Sequence, residues 1–510
     1  MTLFVNGNII TMRQPGEFFS SMRVEGDQIT ALGQEDTSCI QEKGTEIIDL
    51  QGKTVVPGFY DSHLHLISTF LNEISINFSD AVSIQDVLDR IESWPYKYQF
   101  PIVIGKRLSE FTIKEHRLPT RIELDRVSKD FPVVISSIEF HTVLMNSFAL
   151  NQLKIPFVDQ GYEKDDNSSF TGILKNRAAF MALKKVYGLL KDDQYLLGAD
   201  QTFEKAIQNG VTTMVAVEGG PLFHPRHPKI LLQHKDDFPI DVEVFYSTTD
   251  LKEVLKLNLP RIGGDLFLDG SFRAHNAALY EPYSDTQNNC GTLFYTELEL
   301  TEFIEQAHAL DLQVAVHAVG PRAIDMLLNA YEVVLNKNPK ADHRHRIEHF
   351  ELPLQRQIER AKSLGIILAM HPTYEFFFRE EGMMYDTRLG KKRSLMTNPF
   401  RQIVDAGIRV ASCSDSDSMP INPLLAVHSA VNHPNPDSRV TPYEALEMCT
   451  INGAYAIFQD KEKGSLQIGK KADFVILDQD PLVVEHMKIK DIKVCSTYKN
   501  GRCLFGGNDL

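Results

Sequence analysis

Two histidines that stand two residues apart are the first sign of chemistry in this chain. His63 and His65 lie in the segment YDSHLHL, which follows the apolar run TVVPGF. Side chains at positions i and i+2 of a strand point to the same face. Two imidazoles on one face can hold one divalent metal ion at ~2.0–2.1 Å. A pair of surface or hydrogen-bonded histidines is the alternative, and this spacing alone leaves both interpretations open.

The same signal, a polar residue at the end of an apolar run, recurs further along the chain. His317 lies in VAVHAVG, His349 in RIEHFE and Asp415 in CSDSDS. A single histidine of this kind is usually a buried core residue with a hydrogen-bond partner. Four histidines and an aspartate, each at the end of a predicted strand, favour a metal site.

The strands that would position these residues alternate with helix-like stretches. Such alternation predicts an α/β fold with a parallel sheet, and eight strands close a (β/α)8 TIM barrel, whose active sites lie at the C-terminal ends of the strands. The predicted strands are 55–66, 212–220, 241–247, 263–270, 312–320, 345–351, 366–372 and 409–416. Two further strand-like segments, 101–106 and 131–142, are assigned to an insertion after the first strand.

The two ends of the chain have a different residue pattern from its middle. Short alternating runs separated by turn signals such as Asn6-Gly7 and Asn500-Gly501 are typical of antiparallel hairpins. We therefore predict a small β-sandwich domain built from residues 1–56 and 460–510, and a barrel domain over 57–459. The barrel carries a large insertion at about 67–210, too long for a plain loop.

Charge and composition narrow the class of partner. The 510 residues include 53 basic and 68 acidic side chains, for a formal net charge of −15. This balance argues against nucleic acid or an anionic membrane as a partner and leaves a small-molecule substrate. Six scattered cysteines without a CxxC pair suit a reducing cytoplasm. We expect no signal peptide, no membrane span and a cytoplasmic location.

The motifs together resemble those of a known family. The chain is similar to the amidohydrolase superfamily, in its amidohydrolase-3 branch, which includes N-substituted formamide deformylase-like proteins. The resemblance runs from about residue 1 to about residue 505. Its motifs are PGFYDSHLHL (57–66), LDGSFRAHNAAL (268–279), VAVHAVG (314–320), RIEHFE (346–351), SDSD (414–417) and GSLQIGKKADFVILD (464–478).

The resemblance implies a role for each matching position. His63 and His65 would hold the more buried metal, and His317 and His349 would hold a second metal or orient the substrate. Asp415 would touch the metal, accept a proton from the attacking water and deliver it to the leaving amine. His317 could also donate a hydrogen bond to the developing oxyanion. Zn²⁺ is the default cofactor, one or two ions per chain, with Mn²⁺, Fe²⁺, Co²⁺ and Ni²⁺ left open.

One position departs from the pattern of the family. Many relatives carry a carboxylated lysine on the fourth strand that bridges two metals, and here Asp265 stands at the matching position of GGDLFLDGS. Aspartate binds metal without carboxylation but is shorter. Asp265 and Asp269, four residues apart, are expected to share a face of this strand. Lys175, in the insertion, is the alternative bridging ligand and ranks below Asp265.

Several other residues are candidates for contact with the substrate. His141 resembles a recurring histidine of this branch, and Arg273 and His275 follow the Asp-Gly-Ser motif. Arg379 could pair with a substrate carboxylate. It lies in an aromatic segment, 374–385, that would form either an apolar wall of the pocket or helix-packing core. Three more histidines have a spacing unlike a compact metal motif and are interpreted as surface residues: His224, His227 and His234.

The function that these residues predict is metal-dependent hydrolysis of a non-peptide carbon–nitrogen bond in a small molecule. A mononuclear deaminase on the same scaffold would need a glutamate after strand five, and HAVGPRAIDM (317–326) offers none. Ester, lactone and phosphotriester hydrolysis stay open. A non-catalytic, metal-free scaffold is the alternative of another class, and the retained ligands argue against it. Homodimers are common among proteins of this kind.

Overall fold

The computed structural model describes residues 1–34, 45–94, 100–110, 112–137, 142–155, 161–175, 177–220, 223–380 and 384–507. The chain divides into two compact units. The first consists of Met1–Leu64, Phe203–Val217 and Leu232–Leu510, and the second of His65–Thr202 and Glu218–Leu231. Two helices run across the boundaries between these segments of the chain, Ala199–Gln208 and His227–His234.

An eight-stranded parallel sheet is the centre of the first unit, and its neighbours follow the order of the chain. Its last strand returns to its first, because the Asp415 amide donates to the His63 carbonyl at 2.9 Å. The eight strands predicted for a (β/α)8 barrel are thereby confirmed. They are β1 (Phe59–Leu64), β2 (Val211–Gly219), β3 (Asp241–Ser247), β4 (Arg261–Phe267), β5 (Gln313–Ala318), β6 (Arg346–His349), β7 (Ile367–Met370) and β8 (Val410–Ser412).

The first predicted strand is in fact two strands. Thr54–Pro57 pairs antiparallel with Phe474–Leu477 in a different sheet, and β1 begins only at Phe59. The residue between them is Gly58, where a Cβ atom would lie 2.3 Å from Thr212 Oγ1. Glycine lets the backbone lie this close to Thr212 at the point where the chain leaves one sheet for the other. The expectation of one continuous strand over 55–66 is therefore wrong.

Two glycines give β4 its shape. Gly263 and Gly264 both have φ of +92°, and a Cβ atom on Gly263 would lie 2.0 Å from the Ala315 carbonyl oxygen of β5. The ladder between β4 and β5 then changes register between Gly264 and Phe267, which leaves Asp265 in an irregular stretch. The strand ends at Phe267. Asp265 and Asp269 therefore do not share the face of one regular strand, contrary to the expectation.

Strands from both chain ends build two further sheets in the first unit. A buried apolar core that includes Phe4, Ile9 and Phe474 draws residues from both sheets, as expected of a β-sandwich. The predicted domain boundaries at 1–56, 57–459 and 460–510 stay a prediction. In spatial order the two sheets are Gln28–Gly33, Ser21–Glu25, Thr2–Val5 and Glu46–Asp49, and Arg502–Phe505, Val494–Lys499, Phe474–Leu477, Thr54–Pro57, Asn8–Ile10 and Phe18–Phe19.

Helices follow most barrel strands, and capping residues in the sequence mark where they begin. Thr296 accepts the Glu299 amide at the start of the helix after β4, and Pro321 opens the helix after β5. The helices of the first unit are Leu251–Lys256, Glu297–Ala309, Pro321–Lys337, Gln355–Ser363, Thr373–Glu380, Met384–Ser394, Phe400–Asp405, Pro423–Val431, Pro442–Cys449 and Ile451–Ala456, with 3₁₀ turns at Pro436–Ser438 and His486–Asp491.

The second unit has its own six-stranded sheet, as the length of the predicted insertion requires. Both strand-like segments that were assigned to the insertion lie in this sheet. Its strands, in spatial order, are Tyr162–Lys164, Phe170–Lys175, Thr142–Met145, Val133–Ser137, Val103–Leu108 and Ile76–Asn77. Its helices are Leu66–Ile74, Ile84–Glu92, Arg121–Leu124, Ser147–Leu153, Arg177–Leu189 and Asp192–Tyr195, with a 3₁₀ turn at Leu196–Gly198. Among all the helices described, none has the length and apolar character that crossing a bilayer requires.

Three histidines form a hydrogen-bonded chain near the N-terminal ends of β5 and β6. His345 Nδ1 accepts the Val314 amide at 3.0 Å, and its Nε2 lies 2.8 Å from His308 Nδ1. His308 Nε2 in turn lies 2.8 Å from the Asn338 carbonyl oxygen, and His343 Nδ1 accepts the His345 amide at 2.9 Å. An imidazole nitrogen that accepts an amide hydrogen cannot carry a proton, so this arrangement requires neutral rings. Burial lowers the pKa of His345 well below its ordinary value.

We expect this chain of histidines to make stability depend on pH. The pKa of His345 is lower in the folded than in the unfolded protein, so the unfolded chain binds more protons as pH falls below ~6.5. The free energy of unfolding, measured by urea titration, should fall by roughly 1 kcal/mol between pH 7.5 and 5.5 through His345 alone. The difference between wild type and His345→Gln should shrink by that amount. A difference that stays constant between the two pH values contradicts the neutral-chain interpretation.

Candidate metal centre

The predicted donors of the barrel meet at the C-terminal ends of its strands. His63 lies on β1, Asp265 on β4, His317 on β5 and His349 on β6, while Asp415 follows β8. All five side chains are buried. Because the carboxyl ends of parallel strands share one edge of the barrel, residues as distant in the sequence as His63 and Asp415 can converge there.

Asp265 lies in the middle of the imidazoles. Its Oδ1 atom is 3.4 Å from His317 Nδ1, 3.7 Å from His349 Nε2 and 3.8 Å from His63 Nε2. These distances are mostly too long for hydrogen bonds. Two atoms bound at ~2.1 Å to one tetrahedral ion lie about 3.4 Å apart. The spacing of this set thus fits donors that share a metal ion, and the bridging role of Asp265 stays a prediction.

A hydrogen bond from Nδ1 fixes the orientation of the His63 ring. Its Nδ1 donates to Glu348 Oε2 at 2.6 Å, and Glu348 also accepts two hydrogen bonds from Arg346, at 2.7 and 2.8 Å. Arg346 Nη2 further donates to the Ser62 carbonyl at 2.9 Å. Burial by itself raises the pKa of Glu348, but Arg346 and His63 hold it below its ordinary value. A charged carboxylate therefore keeps the proton of His63 on Nδ1 and leaves Nε2 for a ligand bond.

His317 is held by the loop that follows β4. Its Nε2 lies 3.3 Å from the Gly270 carbonyl oxygen and 3.7 Å from Asp269 Oδ1. A hydrogen on Nε2 can be donated to this carbonyl, so Nδ1 is the nitrogen that faces Asp265. Burial alone lowers the pKa of His317, but the neighbouring carboxylates of Asp265 and Asp269 raise it above its ordinary value. A bound metal would compete with a proton for Nδ1.

Asp269 joins the loop after β4 to the end of β5. It accepts the amides of Ala278, Val319 and Gly320 at 2.7, 2.9 and 2.8 Å. Burial raises its pKa to about 6, although these amides act in the opposite direction. Asp269 is therefore more than a turn residue before Gly270, because its carboxylate holds together the chain segments around His317.

Asp415 is positioned by contacts from both of its sides. Its amide donates to the His63 carbonyl, and its Oδ1 atom is 3.7 Å from His63 Nε2. The Tyr374 hydroxyl donates to its other oxygen, Oδ2. Burial raises the pKa of Tyr374 well above its ordinary value, so the hydroxyl remains a donor. One oxygen of Asp415 thus faces the donor cluster while the other is oriented by Tyr374.

Three residues that the sequence did not single out as functional belong to this centre: Glu348, Tyr374 and His371. Glu348 and Arg346 are charges inside a buried strand, which is itself a signal of a polar network. His371 follows β7 and is buried beside His349, with ring centroids 4.3 Å apart. Burial, together with the neighbouring imidazole, lowers the pKa of His349 to about 4 and that of His371 well below the usual range. Both rings are therefore neutral at pH 7.

His65 belongs to the second compact unit. It caps the helix Leu66–Ile74 and is buried, with its ring 4.5 Å from that of Phe223. Thr69 donates both its amide and its hydroxyl to the His65 carbonyl, each at 2.8 Å. The role of His65 as a metal ligand rests on its spacing from His63 and stays a prediction.

Of the residues proposed for substrate contact, the structure describes the side-chain contacts of only two, His275 and Arg273. His275 pairs with Asp285 at 2.9 Å and is half-buried, so its ring is engaged within the loop after β4. The Arg273 guanidinium lies 5.7 Å from the centre of the Phe378 ring. Arg379 is in the helix Thr373–Glu380, but its side chain lies outside the described residues, as does the whole of His141. These four roles stay predictions.

Three other interpretations can be compared with the structure. Lys175 is half-exposed in the second unit and pairs with Glu163 at 2.6 Å, so the bridging role considered for it gains no contact in its favour. His227 is buried, not a surface residue, because the first turn of its helix packs on Tyr195, with ring centroids 4.8 Å apart. The aromatic segment after β7 is mainly core, since Tyr374 and Tyr385 are buried in one apolar cluster.

Comparison with known proteins agrees with this geometry. Residues 46–505 match the Amidohydro_3 profile, described as the amidohydrolase family. The chain is 28% identical to the putative amidohydrolase YtcJ of Bacillus subtilis over 98% of both chains. It is 27% identical to the N-substituted formamide deformylase of Arthrobacter pascens, over 98% of this chain and 97% of the relative.

A solved structure supports the same assignment. An uncharacterized metal-dependent hydrolase from Pyrococcus furiosus superposes with a TM-score of 0.79 at 28% identity. The superposition covers 94% of this chain and 99% of the other. The likeness therefore includes nearly the whole fold. The chain belongs to the amidohydrolase family, whose metal-dependent hydrolases share its barrel.

Proposed function

We propose that this protein is a metal-dependent hydrolase that cleaves a non-peptide carbon–nitrogen bond of a small molecule, with Asp415 as general base and acid. The observation that carries the proposal is the position of Asp265 Oδ1 within 3.4–3.8 Å of nitrogens from His63, His317 and His349. A carboxylate oxygen surrounded by three buried imidazoles is a donor set for a divalent cation. Zn²⁺ is the default ion for it.

The residues that would hold the metal are His63, Asp265, His317, His349 and Asp415. A metal ion bound here supplies Lewis acidity, which lowers the pKa of a water molecule and polarises a carbonyl group. The chain supplies the rest. Glu348 and Arg346 orient His63, and the Gly270 carbonyl orients His317, so the donors are arranged before a ligand arrives.

Asp415 would transfer the proton from the attacking water to the leaving nitrogen. Tyr374 holds its Oδ2 atom, and Oδ1 points toward the donor cluster. In this position Oδ1 can take the proton of the attacking water and then give it to the leaving nitrogen, which makes an amine a better leaving group. One carboxylate can serve both steps because it regains its charge at the end of each cycle.

The substrate class is inferred from a relative. The Arthrobacter protein is named an N-substituted formamide deformylase and matches nearly all of this chain. An N-formyl or N-acyl amine is therefore the substrate class to test first. A deaminase is disfavoured because the stretch after β5, 317–326, contains no glutamate. Lactones and other esters form the comparison set.

The first experiment is metal content per chain, measured by inductively coupled plasma mass spectrometry on protein purified without chelator. We expect about one or two ions per chain, since the donor set can serve either number. The metal-loaded protein should release amine from N-formyl or N-acyl amines, and chelation should remove this activity. Protein that stays metal-free after supplementation contradicts the proposal and favours the non-catalytic scaffold. Loaded protein that cleaves only lactones or deaminates amidines contradicts the carbon–nitrogen assignment.

A further inference from the structure

A buried histidine at the end of β7 has an unusual environment. His371 follows Met370, the last residue of the strand, and is completely buried. Within the described part of the chain, neither of its ring nitrogens has a hydrogen-bond partner, and the same holds for His349. Buried polar atoms are rarely left without a partner in native proteins, so each exception calls for an explanation.

The surroundings of His371 suggest what its partner is. Its ring lies parallel to that of His349, with centroids 4.3 Å apart and an interplanar angle of 24°. The ring of His63 is 5.3 Å away, at 80°. One nitrogen from each of these three imidazoles lies within 4.8 Å of the other two. The buried nitrogens of His371 and His349, which lack a hydrogen-bond partner within the described residues, thus converge on a space that one nitrogen of His63 also lines.

Packing is the competing explanation. The Tyr374 ring stacks on His371, with centroids 5.0 Å apart and an angle of 19°. A residue selected only to support Tyr374 would not need ring nitrogens, because phenylalanine stacks equally well. Packing alone leaves the buried ring nitrogens of His371 unexplained. A metal ion would account for one nitrogen of His371 and for its convergence with one nitrogen each of His63 and His349.

We propose that His371 is a metal ligand, so that β7 contributes a donor to the centre together with β1 and β6. The inference rests on the proposed metal site and extends it by one imidazole. It also narrows the class of ion. Another imidazole among the donors, beside a short carboxylate, favours borderline cations such as Zn²⁺, Co²⁺ or Ni²⁺ over Mn²⁺ and Mg²⁺, which prefer oxygen.

The test is the affinity for Zn²⁺, measured on protein freed of metal by chelator dialysis and titrated against a chromophoric competitor. His371→Phe keeps the stacking surface for Tyr374 and removes both nitrogens. We expect this substitution to lower the affinity for at least one equivalent of Zn²⁺ by at least about 10-fold. Even residues that only support a metal ligand contribute to affinity on that scale. His371→Gln serves as a second variant if phenylalanine disturbs folding, as judged by circular dichroism.

Two controls separate the possible failures. His428→Phe is the matched control, since His428 is also buried and lies 3.2 Å from the Asn432 side chain, outside the donor set. It should bind Zn²⁺ like wild type. If His63→Ala loses Zn²⁺ while His371→Phe binds it normally, the inference about His371 is overturned and the metal site stands. If wild type binds no Zn²⁺, the proposed function fails and the inference falls with it.

A spectroscopic measurement gives a readout independent of affinity. Co²⁺ in place of Zn²⁺ reports on its own ligands through visible absorption. The Co²⁺-loaded His371→Phe protein should show a spectrum different in position and intensity from that of wild type, whereas His428→Phe should not. An unchanged spectrum at full Co²⁺ occupancy overturns the proposed ligand role.

Discussion

Replacement of Asp415 by asparagine is expected to lower kcat/KM by ~10²–10⁴, the usual contribution of a general acid–base residue. The asparagine side chain keeps the shape of Asp415 and can still contact Tyr374, but it cannot take up a proton. Metal content should stay close to wild type, because His63, His317 and Asp265 remain. Steady-state hydrolysis of an N-formyl amine by the metal-loaded protein measures the effect.

Asp417→Asn is the comparison that makes this result specific. Asp417 is buried in the same turn, two residues further along the chain. Asp415, by contrast, has its Oδ1 atom 3.7 Å from His63 Nε2 and its Oδ2 atom bound by Tyr374. The loss should therefore be much larger for Asp415→Asn. Near wild-type turnover by Asp415→Asn, or a larger loss in Asp417→Asn, would falsify the proton-transfer role of Asp415.

Asp265→Asn is expected to weaken metal binding by at least ~10–100-fold, because the substitution removes the negative charge at the centre of the donor set. The amide oxygen occupies the same place but is a poorer ligand for a divalent ion. Competition with a chromophoric chelator measures the change for each equivalent of metal. If the site takes two ions and Asp265 bridges them, both equivalents should bind more weakly, since a bridging ligand serves both.

Lys175→Ala is the control for this experiment. Lys175 is half-exposed and pairs with Glu163, so its removal should leave metal affinity unchanged. The opposite order, with strong metal loss in Lys175→Ala and little in Asp265→Asn, would transfer the bridging role to Lys175. Equal and small effects in both variants would mean that no bridging carboxylate is needed.

The barrel was predictable because its strands carry a repeated signal. Each is a short apolar run that alternates with helical stretches, and polar residues such as His317 and His349 stand at the ends. In a parallel barrel all strand ends of one kind lie on one side. Order along the chain is therefore enough to bring these donors together, without knowledge of any contact. The split at Gly58 was missed, because the apolar run continues through it while the hydrogen-bond partners change.

The hydrogen bonds that orient the metal-binding residues could not be predicted in the same way. Glu348 acts through His63, a residue 285 positions away, and Arg346 acts through the Ser62 carbonyl. Such pairs depend on the register between strands, which composition does not specify. His371 shows the same limit. It follows an apolar strand like the other histidines, but sequence does not say whether its nitrogens meet a hydrogen-bond partner or converge on a shared space.

Loop contacts were the least predictable part. His275 stands next to a recognisable motif, yet its ring pairs with Asp285 across a turn with no regular structure. Arg273 packs near Phe378, on a helix more than 100 residues later in the chain. These contacts depend on the path of each loop, and neither periodicity nor turn chemistry determines that path.

The junction at Gly58 has a consequence for the order of events during synthesis. The strand immediately before β1, Thr54–Pro57, pairs with Phe474–Leu477, which leaves the ribosome more than 400 residues later. At about 5–20 residues per second, this delay is ~20–80 s. The strand that leads into β1 therefore lacks one of its two partners until nearly the whole chain has been made, although its other partner, Asn8–Ile10, is already present. If the centre binds metal as proposed, it can be complete only after Asp415 has been synthesised, so a shorter nascent chain would have no finished centre in which to trap a wrong ion.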